Sequence, residues 1–307
     1  MTEMKNYLFS GIKFCLARMG YRLQPLDADR PIALPTFDGD PRALRYLKNG
    51  RDCLITGKME NGRGLLLFSL GANGKHPFVE GVRRVLDASG ESISDKEVLR
   101  RTLHDYYSRH RPQSVAEVLG ISTGKLPVFD DQPPWAVIKP WESLTLEERL
   151  RKMQVTERVD NRQVSDVEMG IEHGCNFCGP VSDEKLRVEV ERLYRIMQSI
   201  RRHGFVRNDF PDGDIRVDIL VEAPGDWRWL VKSGHHRAAV MSALGFTTVP
   251  IRVDSIVCRE EVDVWPQVMA GTYPRHLALK VFDNIFSGVG GSILGKCKEK
   301  VMMLPDG

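Results

Sequence analysis

Between residues 183 and 253 the hydrophobic period switches repeatedly, and this succession constrains the fold more than any other feature of the chain. Leu186, Val190, Leu193, Met197 and Ile200 recur every three or four residues, the spacing of one face of an amphipathic helix, and Gly204 ends the run. Ile215, Val217, Ile219 and Val221 then alternate with Arg216, Asp218, Leu220 and Glu222, the period of a strand. Pro224-Gly225-Asp226 supplies a turn, and the alternation resumes at Trp227, Trp229 and Val231, so a hairpin is expected with its tryptophans in the core. Beyond Ser233-Gly234 come a short helix marked by Ala238, Val240, Met241 and Leu244, closed by Gly245, and a further strand through Val249, Ile251 and Val253. Such an order implies helices layered on a sheet.

The turn Ser233-Gly234-His235-His236-Arg237 stands between a strand and a helix. The first N–H groups of a helix have no intrahelical partner and carry the positive end of its dipole, so this position suits an anion. A glycine lets the chain approach a phosphate closely, and Arg237 adds a permanent charge with bidentate reach. The histidines can donate to phosphate oxygens, accept a proton or bind a metal. His235 and His236 are therefore candidate acid/base groups as well as phosphate ligands, and the sequence leaves both roles open.

The first half is less periodic. Asp52–Lys58 and Leu65–Leu70 read as a hairpin around Glu60-Asn61-Gly62-Arg63-Gly64. Three helices are expected next. Phe78, Val79, Val82, Val85 and Leu86 mark the first. Val98, Leu99, Leu103 and Tyr106, behind Ser94 and Glu97, mark the second, and Val115, Val118 and Leu119, behind Ser114 and Glu117, the third. Residues 121–141 hold four prolines and two tryptophans, and Thr145 with Glu148 opens a charged helix. These features divide the chain into an amphipathic N-terminal helix (1–24), an N-terminal α+β domain (25–125), a linker region (126–160), a C-terminal α/β domain (161–290) and a tail (291–307). The class is α/β, α+β overall.

A net charge of +3 in 307 residues gives no general reason to expect a nucleic-acid partner. Six scattered cysteines without a secretory signal imply reduced thiols and a cytoplasmic protein, and no apolar run is long enough to span a membrane. The basic, amphipathic start (Leu8, Ile12, Leu16 and Met19, with Lys5, Lys13 and Arg18) permits peripheral membrane contact, though docking on the protein itself is the commoner use.

Three segments carry a resemblance: Leu193 to Gly204, Val231 to Ala239 with its Gly-His-His-Arg, and Ala243-Leu244-Gly245 with Val249-Pro250-Ile251. In order and spacing they resemble the ParB/sulfiredoxin-like superfamily domain, over about residues 184–256. The resemblance implies a small α/β domain that binds ATP or CTP. Ser233, Gly234, His235, His236 and Arg237 fall on its phosphate box, and Ser199, Arg201, Arg202 and Gly204 on the segment bordering the nucleotide. His235 stands where sulfiredoxins carry their cysteine, which argues against sulfinic acid reduction. Only about fifty residues follow the resembling region, with one candidate helix at Arg275 to Phe286, which argues against a ParB-type DNA reader. The box looks most like that of the kinase-type members, although their acidic general base has no matching position here.

The expected function is nucleotide binding with phosphoryl transfer or NTP hydrolysis on a small hydroxylated acceptor; the alternatives are a non-catalytic nucleotide-gated scaffold and, behind it, ParB-like DNA binding. The start through Met19-Gly20-Tyr21-Arg22 also looks like that of some surface-polysaccharide enzymes, which makes a sugar hydroxyl conceivable as acceptor. Asp218 and Glu222 are candidate Mg²⁺ ligands, or a solvated strand face. His173, Cys175 and Cys178 have half-zinc-site spacing without a second half, so zinc is not expected. Gly71 to His76 lacks P-loop spacing and reads as a turn. The basic aromatic stretch from His104 to Arg111 reads as a helix end before a nucleic-acid contact.

Overall fold

The computed structural model describes residues 36–47, 53–88, 92–165, 168–207 and 213–290. The expected helix at 1–24 and the tail at 291–307 lie outside these residues.

In chain order the elements are β1 (Thr36–Phe37), β2 (Leu54–Lys58), β3 (Gly62–Gly64), β4 (Phe68–Ser69), α1 (Pro77–Asp87), α2 (Asp95–Arg109), α3 (Val115–Val118), α4 (Pro127–Asp130), α5 (Leu146–Arg162), α6 (Asp183–His203), β5 (Arg216–Ala223), β6 (Asp226–Ser233), α7 (His235–Ala243), β7 (Thr248–Cys258), α8 (Pro266–Met269) and α9 (Arg275–Ser287). The starts of α2 and α3 are capped by the hydroxyls of Ser94 and Ser114, and α5 opens with a complete capping box between Thr145 and Glu148.

The strands form one mixed sheet in the order β1-β2-β7-β5-β6-β3-β4. β5 and β6 make the expected hairpin, and β7 lies parallel to β5. The expected hairpin in the first half does not form. β2 pairs antiparallel with β7, Leu54 opposite Arg252, while β3 runs parallel to β6 with Arg63 opposite Leu230. The glycines read as a loop are strand residues, for a steric reason. A Cβ on Gly62 would stand 2.5 Å from the Trp229 ring, so only glycine lets this strand pass the buried indole. The turn is made instead by Leu65 and Leu66, both left-handed at φ 43° and 69°, a conformation that costs a non-glycine residue about 1–2 kcal/mol.

Strands from both halves of the chain therefore share one sheet, and the described residues from 36 onward belong to one compact unit rather than two domains joined at 126–160. The supposed linker is structural: Leu126, Phe129, Ala136 and Ile138 are buried. One core lies between α1, α2, α6 and α7 and the sheet face bearing Val217, Ile219, Trp229, Val231 and Ile251. A second core covers the opposite face at Leu220, Leu230 and Val257 with residues 115–138, Trp265 and α9. Both faces of β5 are thus covered, and Asp218, read as a solvated position, is 1 % exposed. No described helix is long and apolar enough to cross a membrane.

Candidate active site

The turn after β6 opens onto a cavity of about 470 Å³, within the size range of small-molecule sites. Ser233, Gly234, His235, His236 and Arg237 all line it. Gly234 is left-handed at φ 87° and caps α7 without a side-chain hydrogen bond; a Cβ there would meet the Asp214 carbonyl oxygen at 3.1 Å. The helix end thus faces the cavity with its backbone rather than with a capping side chain.

Helix α5 lines the cavity from Arg149 to Gln163, about 21 Å of helix rise. With it come seven cationic side chains, Lys139, Arg149, Lys152, Arg192, Arg195, Lys232 and Arg237, against the carboxylates of Glu142, Glu157 and Asp160. Burial opposes the charge on Lys139, but Glu142 at 3.2 Å and Asp218 at 3.5 Å outweigh it and raise its pKa. Lys152 has no carboxylate within ion-pair distance among the described residues; burial, with Arg149, Lys232 and Lys139 nearby, pushes its pKa down. A surplus of cations in a concave site focuses a positive potential on whatever enters. Leu66, Trp135, Val137, Phe177 and Val231 add apolar wall.

Below the turn lies a buried ionic network. Glu189, fully buried on α6, meets His236 Nε2 at 2.8 Å, Lys185 Nζ at 3.0 Å and Arg192 Nη1 at 2.9 Å. Lys185 also reaches Glu157 and Asn161 of α5, each at 2.8 Å. Burial alone would raise the Glu189 pKa; Lys185, Arg192 and His236 hold it well below the usual carboxylate range. The His236 ring stacks on Phe78 at 4.6 Å between centroids. His235 accepts a long hydrogen bond, 3.5 Å, from the Leu65 N–H at Nδ1, and Phe177 meets it edge to face. Burial pushes the His235 pKa down to about 3 and lowers that of His236 too, so both rings are neutral near pH 7.

The remaining sequence candidates fall elsewhere. Ser199, Arg201, Arg202 and Gly204 occupy the exposed end of α6 and do not line the cavity, which takes Arg192, Arg195 and Ile196 from earlier turns of that helix. Asp218 and Glu222 do not fit a Mg²⁺ site. Four residues apart on a strand, they are separated by about 13 Å. Asp218 is already bound by Lys139, Lys232 and Ser255, and Glu222 by Arg259. Cys175 and Cys178 are buried free thiols 4.0 Å apart, and His173 bonds Ser182. Among the described residues no group of three or more His, Cys, Asp or Glu is placed to hold a metal. His76, at the end of the stretch read as a turn, caps α1, and Tyr106, Tyr107 and His110 are core residues.

Sequence reasoning missed Glu189 and Lys185. Their signal was present: both interrupt the apolar stripe of α6 at its own spacing, beside Leu186 and Leu193, where a charge must be buried and therefore paired.

No family model matches the chain, and no curated protein or solved structure is similar enough to it to count as a match.

Proposed function

We propose that this cavity binds the polyphosphate of a nucleotide, ATP or CTP, on the start of α7, and that the protein transfers the terminal phosphoryl group to a small hydroxylated acceptor or to water. The observation that carries the reading is the conjunction at one place of a glycine-capped helix start, Arg237 and a cationic cavity of nucleotide size. A triphosphate needs its charge neutralised and its oxygens held by N–H donors; Lys139, Arg149, Lys152 and Lys232 supply the first and the helix start the second. The apolar wall at Trp135, Val137 and Phe177 suits the base. The resemblance to the ParB/sulfiredoxin-like domain supports the same ligand through the position of the box. The helix after that domain, α9, buries Leu277, Val281, Phe282 and Ile285 in the second core, so it is not free to act as a DNA-reading helix.

The test is a thermal-shift screen with ATP and CTP, each with and without Mg²⁺, followed by phosphate release. Stabilisation that Arg237→Ala weakens at least tenfold in apparent Kd supports the site. Binding without product, with glycerol, glucose and water as acceptors, marks a nucleotide-gated module instead. No stabilisation by either nucleotide overturns the reading.

A further inference from the structure

Resting on that reading, we infer that the two adjacent histidines have opposite tasks: His236, oriented by Glu189, accepts the proton of the attacking hydroxyl through Nδ1, while His235 donates from Nε2–H to a phosphate oxygen. The assignment follows from what already occupies each ring. Glu189 is an ionised carboxylate and can only accept, so His236 Nε2 carries the hydrogen of the 2.8 Å bond. In the neutral ring Nδ1 is then an unprotonated acceptor. His236 lines the cavity, and Nδ1 is the nitrogen left for a ligand. For His235 the logic reverses. Its Nδ1 accepts from Leu65 N–H, so Nε2 carries the hydrogen and is a donor.

The backbone and packing preserve the difference. Phe78 fixes the plane of His236 by stacking, and Glu189 fixes its edge. Lys185 and Arg192 keep Glu189 ionised in a fully buried position. The His235 contact depends on Leu65, one of the two left-handed leucines, and strain retained beside a cavity is a recurrent mark of function. In the step itself the acceptor oxygen bonds to the γ-phosphorus. The bond from that phosphorus to the β,γ-bridging oxygen breaks, and its electron pair leaves on the nucleoside diphosphate. The hydroxyl proton passes to His236 Nδ1 and on to solvent. Glu189 touches no reacting atom and is a positioning residue. A proton acceptor in place is worth about 10²–10⁴ in rate.

Side-chain ¹⁵N NMR of the wild-type protein at pH 7.5 reads the tautomers directly. Both rings are expected as Nε2–H, with His236 Nδ1 unprotonated; His236 as the Nδ1–H tautomer or as imidazolium overturns the assignment. Kinetics then separates the roles, with phosphate release from ATP or CTP and with water, glycerol and glucose as acceptors. His236→Asn should lower kcat at least 100-fold with triphosphate binding within threefold. His235→Asn should raise KM at least tenfold with kcat within threefold. The reverse pattern, or unchanged turnover in His236→Asn, overturns the inference. Glu189→Gln should lower kcat and move the acid limb of the pH profile to lower pH, because Glu189 is the one group raising the His236 pKa among Glu189, Lys185 and Arg192 of α6, His235 beside it and His76 of α1. Should Glu189→Gln fail to fold, the tautomer measurement stands without it. If the wild type binds inorganic triphosphate but turns over no nucleotide, the inference falls and the binding site survives; if it binds no triphosphate, both fall.

Discussion

Helices α1 and α7 each have a histidine at the start, His76 as the cap of one and His235 as the first residue of the other, and the two starts are built in opposite ways. His76 seals α1: it is fully buried, and its Nδ1 accepts the Phe78 N–H at 3.3 Å. Pro77, at the first helical position, has no N–H to satisfy. At α7 the capping residue is Gly234, which has no side chain to close the end, and His235 and His236 lie inside the helix facing a cationic cavity. The two ends touch through Phe78, stacked on His236. One core thus holds a helix start satisfied by a side-chain cap beside one that has none. A helix start is open to binding when its cap is withheld, and the protein must then hold the first-turn side chains by other means. Here the means are Glu189 and Lys185.

The contrast can be broken most severely from below. Lys185→Met leaves Glu157 and Glu189 buried without their shared cation and should cost about 3–5 kcal/mol in urea unfolding. A loss below about 1 kcal/mol would mean that the network does not support the α7 start. Acidification should act on both starts together. Burial depresses the pKa of His76 well below normal, of His110 to about 4 and of His235 to about 3. Because the unfolded chain protonates near pH 6.5 and the folded rings do not, stability is complete above that pH and falls as pH drops toward the folded values. Between pH 7.5 and 5.5 the loss should be about 1 kcal/mol for each of these rings, read as a falling urea midpoint. A flat profile would show the rings taking protons without unfolding.

His76→Ala removes a cap and a buried ring and should cost about 2–4 kcal/mol, with triphosphate affinity within threefold of wild type. Gly234→Ala reverses the balance. Forcing a Cβ into a left-handed residue near the Asp214 carbonyl should cost only about 1–2 kcal/mol, yet weaken triphosphate binding at least tenfold. Equal effects of these two variants on binding would erase the distinction between the sealed start and the open one.

Much of this was legible where the determinants are local. The stripe of α6, the β5–β6 hairpin, the hydroxyl caps and the position of the turn at 233–237 each depend on residues within a few positions of one another. The misread hairpin at 52–70 shows the limit. Leu54 finds its partner at Arg252, and Arg63 at Leu230, so nothing nearby in sequence announces either pairing. Proline and lack of periodicity suggested a linker at 126–160, because burial of an irregular segment leaves no repeat to detect. The turn at 233–237 could be placed by sequence, but the cations around it come from residues 139–152, 192–195 and 232–237, which only the fold brings together.

The sheet order carries a consequence for how the chain must be made. β7, β5 and β6 form its centre, while the earlier strands β1, β2, β3 and β4 flank it on either side. On the ribosome β2 and β3 emerge long before β7 and β6, so the edges that these later strands cover wait unpaired until the later strands have been synthesised. Completion of the sheet is therefore a late event, and a nascent chain halted before residue 248 presents an open strand edge for a chaperone to hold.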